Sequence, residues 1–278
     1  MDGDSLLLFD LNQHRLTIFG SDGEPVRTVA VGALNLGYNP AIGPLEDRSF
    51  LVPTAHGARQ PPSENGLLRR DSLVYRRFST TGEELPPFGA YPGRETFLLP
   101  DGPRRTLLEP LGFGRSFELV SGDSLIYLGQ TDSYEVRAFT HAGQLRQIIR
   151  VMLDPVPVTS AMIAAFKDHN IEIYGDSVMI AGFRRVREAM PYPATTPAFH
   201  QLAVDDEQNL WVRQYPAFPD SSAIWHIFSP TGHLSGRVEL PARFEPNVFQ
   251  SSVITGIWTD DESVEHLRSY ALERRNRS

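Results

Sequence analysis

Four times in this chain a Phe closes a β-rich run and a Gly follows four residues later: Phe19 and Gly23, Phe78 and Gly82, Phe139 and Gly143, Phe228 and Gly232. The residues between them are polar, and each Gly leads into another run that turns apolar. Phe suits a half-buried pleated surface, and Gly supplies the positive φ that a tight hairpin needs. One such hairpin constrains little. Four predict a repeat built from antiparallel strands.

A second element recurs ahead of these hairpins. Gly3-Asp4-Ser5 opens LLLFD, Gly122-Asp123-Ser124 opens LIYLG, Asp71-Ser72 opens LVYRRF, and the polar run 205–209 opens LWVRQY. Each is a turn feeding an apolar, β-branched or aromatic strand. SFELV and QLAV add a further strand before two of them. Four short strands in meander order describe a propeller blade. The predicted fold is therefore an all-β propeller of four-stranded antiparallel blades in one domain, 1–278. Five blades are visible, at about 3–31, 38–88, 115–152, 199–240 and 247–273.

The longest step, Phe139 to Phe228, carries an insertion over 154–198. Thr159 or Ser160 is a good N-cap, and Met162, Ile163 and Phe166 fall at helical spacing. A second helix is expected after Asp176-Ser177, with Val178, Ala181, Val186 and Met190 on one face, so the insertion reads as helical near 159–190. The rival reading makes GDSVMIAGF another strand of the repeat.

Composition removes several functions. The net charge is -8, against nucleic acid as the main partner, since phosphate neutralisation needs a basic surface. No apolar run is long enough to cross a bilayer, and the acidic start MDGDSLLLFDLNQ is not a signal peptide. Cysteine is absent, so there is no disulfide framework and no thiolate nucleophile. The eight His form no HxH or HExxH pattern, no GxSxG is present, and GFGRSF lacks the Lys-Ser/Thr pair of a phosphate loop.

Three segments, GIWTDDESVEHLRSYAL, FHQLAVDDEQNLWVRQY and PVTSAMIAAF, resemble bacterial six-bladed β-propeller proteins of the TolB-like and NHL-like superfamily. The resemblance implies six blades, often preceded by an export signal or lipid anchor; the five units visible read either as a five-bladed ring or, the preferred expectation, as a ring whose N-terminal blade and any leader lie ahead of this chain. It also implies an extracytoplasmic (periplasmic or secreted) location. It is nearly silent on chemistry, because the fold hosts unrelated functions.

Meander geometry locates a candidate site. The links between blades, and those between second and third strands, emerge on one face. The long connections 31–40, 88–114 and 154–198 are of these types, so the candidate site is the channel mouth on that face, with the helical insertion as a lid. Residues just before inner strands, Asn39, Arg115, His200 and Gln250, are expected to line it, joined by His14, Asp132, Asp260 and Asp261 from the turns. Arg115 would bind an anion, and His200 would act as acid, base or ligand. The plainer alternative makes all of these solvated loop residues. The leading function is a non-enzymatic scaffold that binds a small molecule or protein, without a cofactor. The alternative is a metal-dependent lactonase or hydrolase with Ca²⁺ in the channel, for which Asn39, Asn247 and Asp132 are the oxygen donors to consider. Trp211, Trp225 and Trp258 are expected in the core, with an aromatic sugar platform as the rival reading.

Overall fold

The computed structural model describes residues 6–10, 12–13, 15–30, 42–57, 61–218 and 221–273. Asn39 and His14 lie outside the described residues.

Five antiparallel sheets follow one another along the chain, each a meander whose spatial order is its sequence order. The first holds β1 (Leu6–Asp10), β2 (Arg15–Phe19) and β3 (Pro25–Ala30). The second holds β4 (Phe50–His56), β5 (Leu67–Phe78), β6 (Glu84–Pro100) and β7 (Thr106–Pro110). The third holds β8 (Phe117–Ser121), β9 (Leu125–Gln130), β10 (Glu135–Thr140) and β11 (Leu145–Arg150). The fourth holds β12 (Gln201–Val204), β13 (Leu210–Arg213), β14 (Ala223–Phe228) and β15 (Leu234–Leu240). The fifth holds β16 (Phe244–Phe249), β17 (Val253–Thr259) and β18 (Glu265–Ala271).

The sheets stack face to face in chain order, which is β-propeller architecture. Alternation along each strand explains why the runs are apolar throughout. In β9, Ile126 and Leu128 pack toward the second sheet with Leu51 and Tyr75, while Tyr127 packs toward the fourth with Leu202 and Val212. Leu16 and Val29 meet Phe50 and Phe78 between the first and second sheets. Trp211 and Trp225 meet Phe244 and Ile254 between the fourth and fifth. Trp211 and Trp225 are 1% and 0% exposed, so both are core residues, as their strand positions suggested. Trp258 is only half-buried, and the Arg268 guanidinium lies over its ring at 3.4 Å.

The four Phe…Gly turns share one geometry. The Gly N–H donates to the carbonyl three residues back: Gly23 to Gly20 at 3.0 Å, Gly82 to Ser79 at 3.0 Å, Gly143 to Thr140 at 2.8 Å and Gly232 to Ser229 at 2.8 Å. The Gly φ values are 79°, 87°, 83° and 82°, in the left-handed region. A register shift follows in each hairpin, between Ile18 and Phe19, Tyr75 and Arg77, Ala138 and Phe139, and Ile227 and Phe228. This is a tight turn closed by a glycine bulge.

The second sheet departs from the expected end near 88. β6 does not stop there; it runs to Pro100, pairs its far half with β5 (Leu67 opposite Leu98) and then with β7 (Pro100 opposite Thr106). Most of the 88–114 connection is therefore strand. Its apolar alternation, with Phe97, Leu107 and Leu111 buried, is satisfied by the helical insertion.

That insertion contains α1 (Ser160–Asp168) and α2 (Ser177–Ala189), joined through a single 3-10 turn, Ile171–Tyr174. Thr159 Oγ1 accepts from the Met162 N–H at 3.2 Å. Asp176 Oδ1 accepts from Val178 and Met179 at 2.9 and 2.8 Å. The Asp176 cap removes the strand reading of GDSVMIAGF. The buried face of α2 is Phe183, Val186 and Met190 with Met179 beside them; Val178 and Ala181, expected there, are exposed. The insertion thus docks on the β6–β7 extension. Arg187 holds it: Nε donates to Glu109 Oε1 at 2.8 Å, and Nη1 donates to the carbonyls of Phe166, Lys167 and His169 at 3.0, 3.0 and 2.8 Å. Both side chains of the pair are under a tenth exposed, and breaking such a buried pair costs about 3–5 kcal/mol. Among the described residues no helix is long and apolar enough to cross a membrane.

Candidate functional site

Three equivalent backbone bonds define the mouth. Thr131 N–H donates to Ser116 O at 3.0 Å, His200 N–H to Arg213 O at 2.8 Å, and Thr259 N–H to Arg243 O at 3.1 Å. Each ties the entry of a first strand (β8, β12, β16) to the end of the second strand beside it. These entries and the turns after β9, β13 and β17 therefore share one face. The first strands β8 and β12 also contact each other directly, which places them at the centre of the array.

A cavity of about 500 Å³ opens on this face, lined by His169 and Asn170 beyond α1, and by His200, Arg213, Phe218 and Asp260 among others. His200 and Asp260, both expected at the mouth, do come together here, and Asp261 joins them. Gln250 does not. It lies beyond the far end of β16, at the turn into β17, so it belongs to the opposite face. The residue equivalent to His200 in the fifth sheet is Arg243, which also lines the cavity. Asp132 is on the correct face but in a second, smaller recess of about 300 Å³, with Tyr91 and Glu135. Its carboxylate is taken by Arg70, whose Nη1 and Nη2 donate to it at 3.1 and 2.9 Å.

His200 has an unusual setting. Its surface is open to water, and its imidazole makes no hydrogen bond among the described residues; the ring stands edge-on to Tyr215 at 5.6 Å. Its pKa is pushed down to about 4, first by the protein massed around it and then by the positive charges of Arg213 and Arg94. A side chain at the floor of a recess has both properties: many protein atoms nearby and one wet face. The ring is therefore neutral at pH 7 and offers a lone pair or an N–H.

Of the groups around it, Arg213 lines the same cavity, while Glu118, Tyr215, Arg94 and Arg115 lie outside its lining. Burial pushes the Glu118 carboxyl up to about 7, against the opposing pull of the Ser116 hydroxyl, which donates at 2.8 Å, and of Arg94. Burial also raises Tyr215, opposed by a backbone bond from Phe113 and by Arg94 and Arg115. Arg94 is exposed and makes no hydrogen bond or ion pair among the described residues, yet it acts on Glu118, His200 and Tyr215 alike. Arg115 is held at its backbone N–H by Glu95 Oε2 (2.7 Å) and at Nη2 by Thr195 Oγ1 (2.9 Å). Its Nη1 is buried without a hydrogen-bond partner, and so is Nε of Arg213. Arg213 Nη1 donates to Glu245 Oε2 at 2.9 Å, linking the fourth and fifth sheets.

Asp260 serves the rim. Its Oδ1 accepts from the Glu262 and Val264 N–H groups at 2.9 Å each, and Oδ2 meets His266 Nε2 at 2.9 Å. His266 first, then these backbone bonds, hold its carboxyl below the ordinary range. Asp261 pairs with Arg243. Among the described residues no group of three His, Asp or Glu side chains is placed to hold a metal ion. Of the expected Ca²⁺ donors, Asp132 is committed to Arg70, and Asn39 lies outside the described residues.

Arg94, Glu118, Arg213, Tyr215 and Arg243 escaped the sequence reading. The turn rule that found His200 reaches Arg243 once β16 is seen to begin at Phe244. It reaches Arg213 and Tyr215 as the exit of the second strand. Arg94 has no such signal, because the Pro- and Gly-rich stretch around it reads as a connection and only its pairing with β5 makes it part of β6.

No family profile matches the chain, and no curated protein sequence matches it. Solved structures do align along its length. A member of the DUF4221 family from Bacteroides vulgatus matches 98% of this chain and 76% of its own, with a TM-score of 0.48 and 11% identity. A streptogramin B lyase structure matches 99% of this chain and 82% of its own, with a TM-score of 0.39 and 10% identity. Hsv2 of Kluyveromyces lactis matches 97% and 83%, with a TM-score of 0.38 and 9% identity. Likenesses at this level concern the fold alone and assign no residue a role.

Proposed function

We propose that the chain is a non-enzymatic β-propeller binding scaffold that takes a small molecule at the mouth cavity. One observation carries this reading: an exposed imidazole without a hydrogen-bond partner, His200, on the wall of a cavity of about 500 Å³ built from three separate parts of the chain. Small-molecule sites are concave, largely pre-formed, and carry a few placed polar groups among apolar walls. Phe218, 45% exposed, supplies an aromatic wall on the loop after β13. The finer placement among TolB-like and NHL-like six-bladed bacterial propellers belongs to the same reading and rests on the three segments quoted above.

A thermal-shift screen of small soluble compounds tests it. A ligand at a hundred times its Kd stabilises the folded state by about 2.7 kcal/mol. Compounds that raise Tm in the wild type and not in His200→Ala support the proposal. A screen in which no compound distinguishes the two proteins counts against it. Lactone or ester turnover that requires added Ca²⁺ would replace it with the hydrolase alternative.

A further inference from the structure

We propose that the small molecule taken at this mouth is a neutral sugar, held by its hydroxyls between the arginine–carboxylate pairs of the cavity wall and by its C–H face against Phe218. The inference rests on the binding reading above and names the class of ligand.

The charges of the wall cancel one another. Two arginines line the cavity, and each is already paired with a carboxylate that lines it too: Arg213 Nη1 donates to Glu245 Oε2 at 2.9 Å, and Arg243 meets Asp261. The third acid among the described lining residues, Asp260, is engaged by His266 and by the N–H groups of Glu262 and Val264. An incoming anion or cation would therefore have to displace a bonded counter-charge to gain its contact, and the exchange would return little.

A hydroxyl suits such a wall. In each pair a guanidinium N–H stands beside a carboxylate oxygen, and an O–H can accept from the one while it donates to the other. The pairing leaves carboxylate lone pairs and guanidinium N–H groups to spare. They are within reach of a ligand: the Glu245 side chain is 55% exposed and that of Asp261 92%. Hydrogen bonds to ionised groups are the stronger ones, and neighbouring hydroxyls on one ring make several of them together. His200 adds a donor and an acceptor on the same wall, because its neutral imidazole has no hydrogen-bond partner among the described residues.

Phe218 supplies the other half of the recognition. A pyranose ring is polar around its edge and apolar across its C–H face, so its site needs an aromatic surface left uncovered beside the polar groups. Phe218 is 45% exposed and lines the same cavity. The tryptophans cannot play this part, since Trp211 and Trp225 are buried in the core and the Trp258 ring is covered by the Arg268 guanidinium. The volume of about 500 Å³ falls among small-molecule sites.

The test follows the His200 imidazole resonance by NMR at neutral pH, identified by its loss in His200→Gln. The methyl glycosides of glucose, galactose and mannose are titrated at constant ionic strength. Beside them stand acetate and phosphate as anions, choline as a cation, glycine as a zwitterion, and cyclohexanol as a ring with a single hydroxyl. The expected result is a saturable shift with at least one glycoside that exceeds the response to every other probe. Phe218→Ala should weaken it by about fivefold or more, the worth of one aromatic contact, and Glu245→Ala by about tenfold or more, the worth of one charged hydrogen bond. Arg146→Ala, on the outer strand β11, should leave it unchanged. Phe218 is an exposed loop residue, so its replacement keeps the test decisive should Glu245→Ala disturb the junction of the fourth and fifth sheets. A glycoside shift that survives both substitutions undiminished overturns the assignment to these side chains. Shifts with the ions or cyclohexanol that equal or replace those with glycosides overturn the sugar and leave the binding reading standing. Silence from every probe overturns the sugar and, if the thermal-shift screen is silent too, the binding reading with it.

Discussion

Burial keeps the Glu118 carboxyl protonated far above the ordinary carboxylate range, and the consequence has a definite sign. The folded chain holds a proton near pH 6 that the unfolded chain, with an ordinary pKa near 4.5, has released. The contribution of Glu118 to stability should therefore be highest below about pH 4.5, fall as pH rises to about 7, and level off beyond. Glu118→Gln should abolish this decline, and the two proteins should differ by about 1–3 kcal/mol in their change between pH 5 and 8. Urea denaturation at both pH values measures it; parallel changes in the two proteins would place the carboxyl in water instead. His200 acts in the opposite direction, losing stability on acidification from about 6.5 toward 4, and is common to both proteins. Residues of this kind are where the sequence was hardest to read. Glu118 stands in SFELV like any polar strand residue, and only the packing of neighbouring sheets around it changes its chemistry. His200 and Asp260 were legible because turn position alone puts them on the mouth; Gln250 was misplaced because β16 begins at Phe244, ahead of the blade start expected at 247, which puts Gln250 at its far end.

At the scale of elements, the Phe…Gly hairpin is the most predictable part of the chain. Its Gly residues stand at φ near 80°, a region that costs an L side chain about 1–2 kcal/mol. Gly143 isolates this cost, because a Cβ there would meet nothing within 4 Å. Gly143→Ala should lower stability by about 1–2 kcal/mol, and Gly143→Asn by less, since Asn tolerates the left-handed region. Gly232→Ala should cost more, because its Cβ also runs into the Gln147 side chain. Denaturation midpoints of the three variants rank these effects; equal losses at Gly143 for Ala and Asn would refute the backbone explanation. The helical insertion was legible for a similar local reason: Thr159 and Asp176 are caps whose bonds reach only two or three residues. The β6 extension was not, because PPFGAYPGRE is rich in Pro and Gly and its strand pairs only through contacts with β5, β7 and the helices.

At the scale of the whole molecule, stability is distributed by neighbours. The second, third and fourth sheets each pack on two others, whereas among the described residues the first and fifth each share a core with one. In a stack of this kind local opening starts where contacts are fewest. Amide hydrogen exchange should be slowest in β9, β10 and β13 and fastest in β3 and β18, with β18 exposed along nearly its whole length. Comparable protection of β18 and β9 would mean that the fifth sheet has a partner not accounted for by these cores.

The two faces of the array also differ in a way that has a practical use. The glycine-closed turns after β10 and β14 emerge at the opposite ends of these strands from the turns after β9 and β13, on the face away from the mouth, where they are short and alike. The chain contains no cysteine. A single Ala142→Cys, at an exposed position in one of these turns, would create one thiol on the whole molecule. Coupled through it to a sensor surface or a fluorophore, the protein would be anchored by its back, every copy oriented alike, with the cavity turned toward solution.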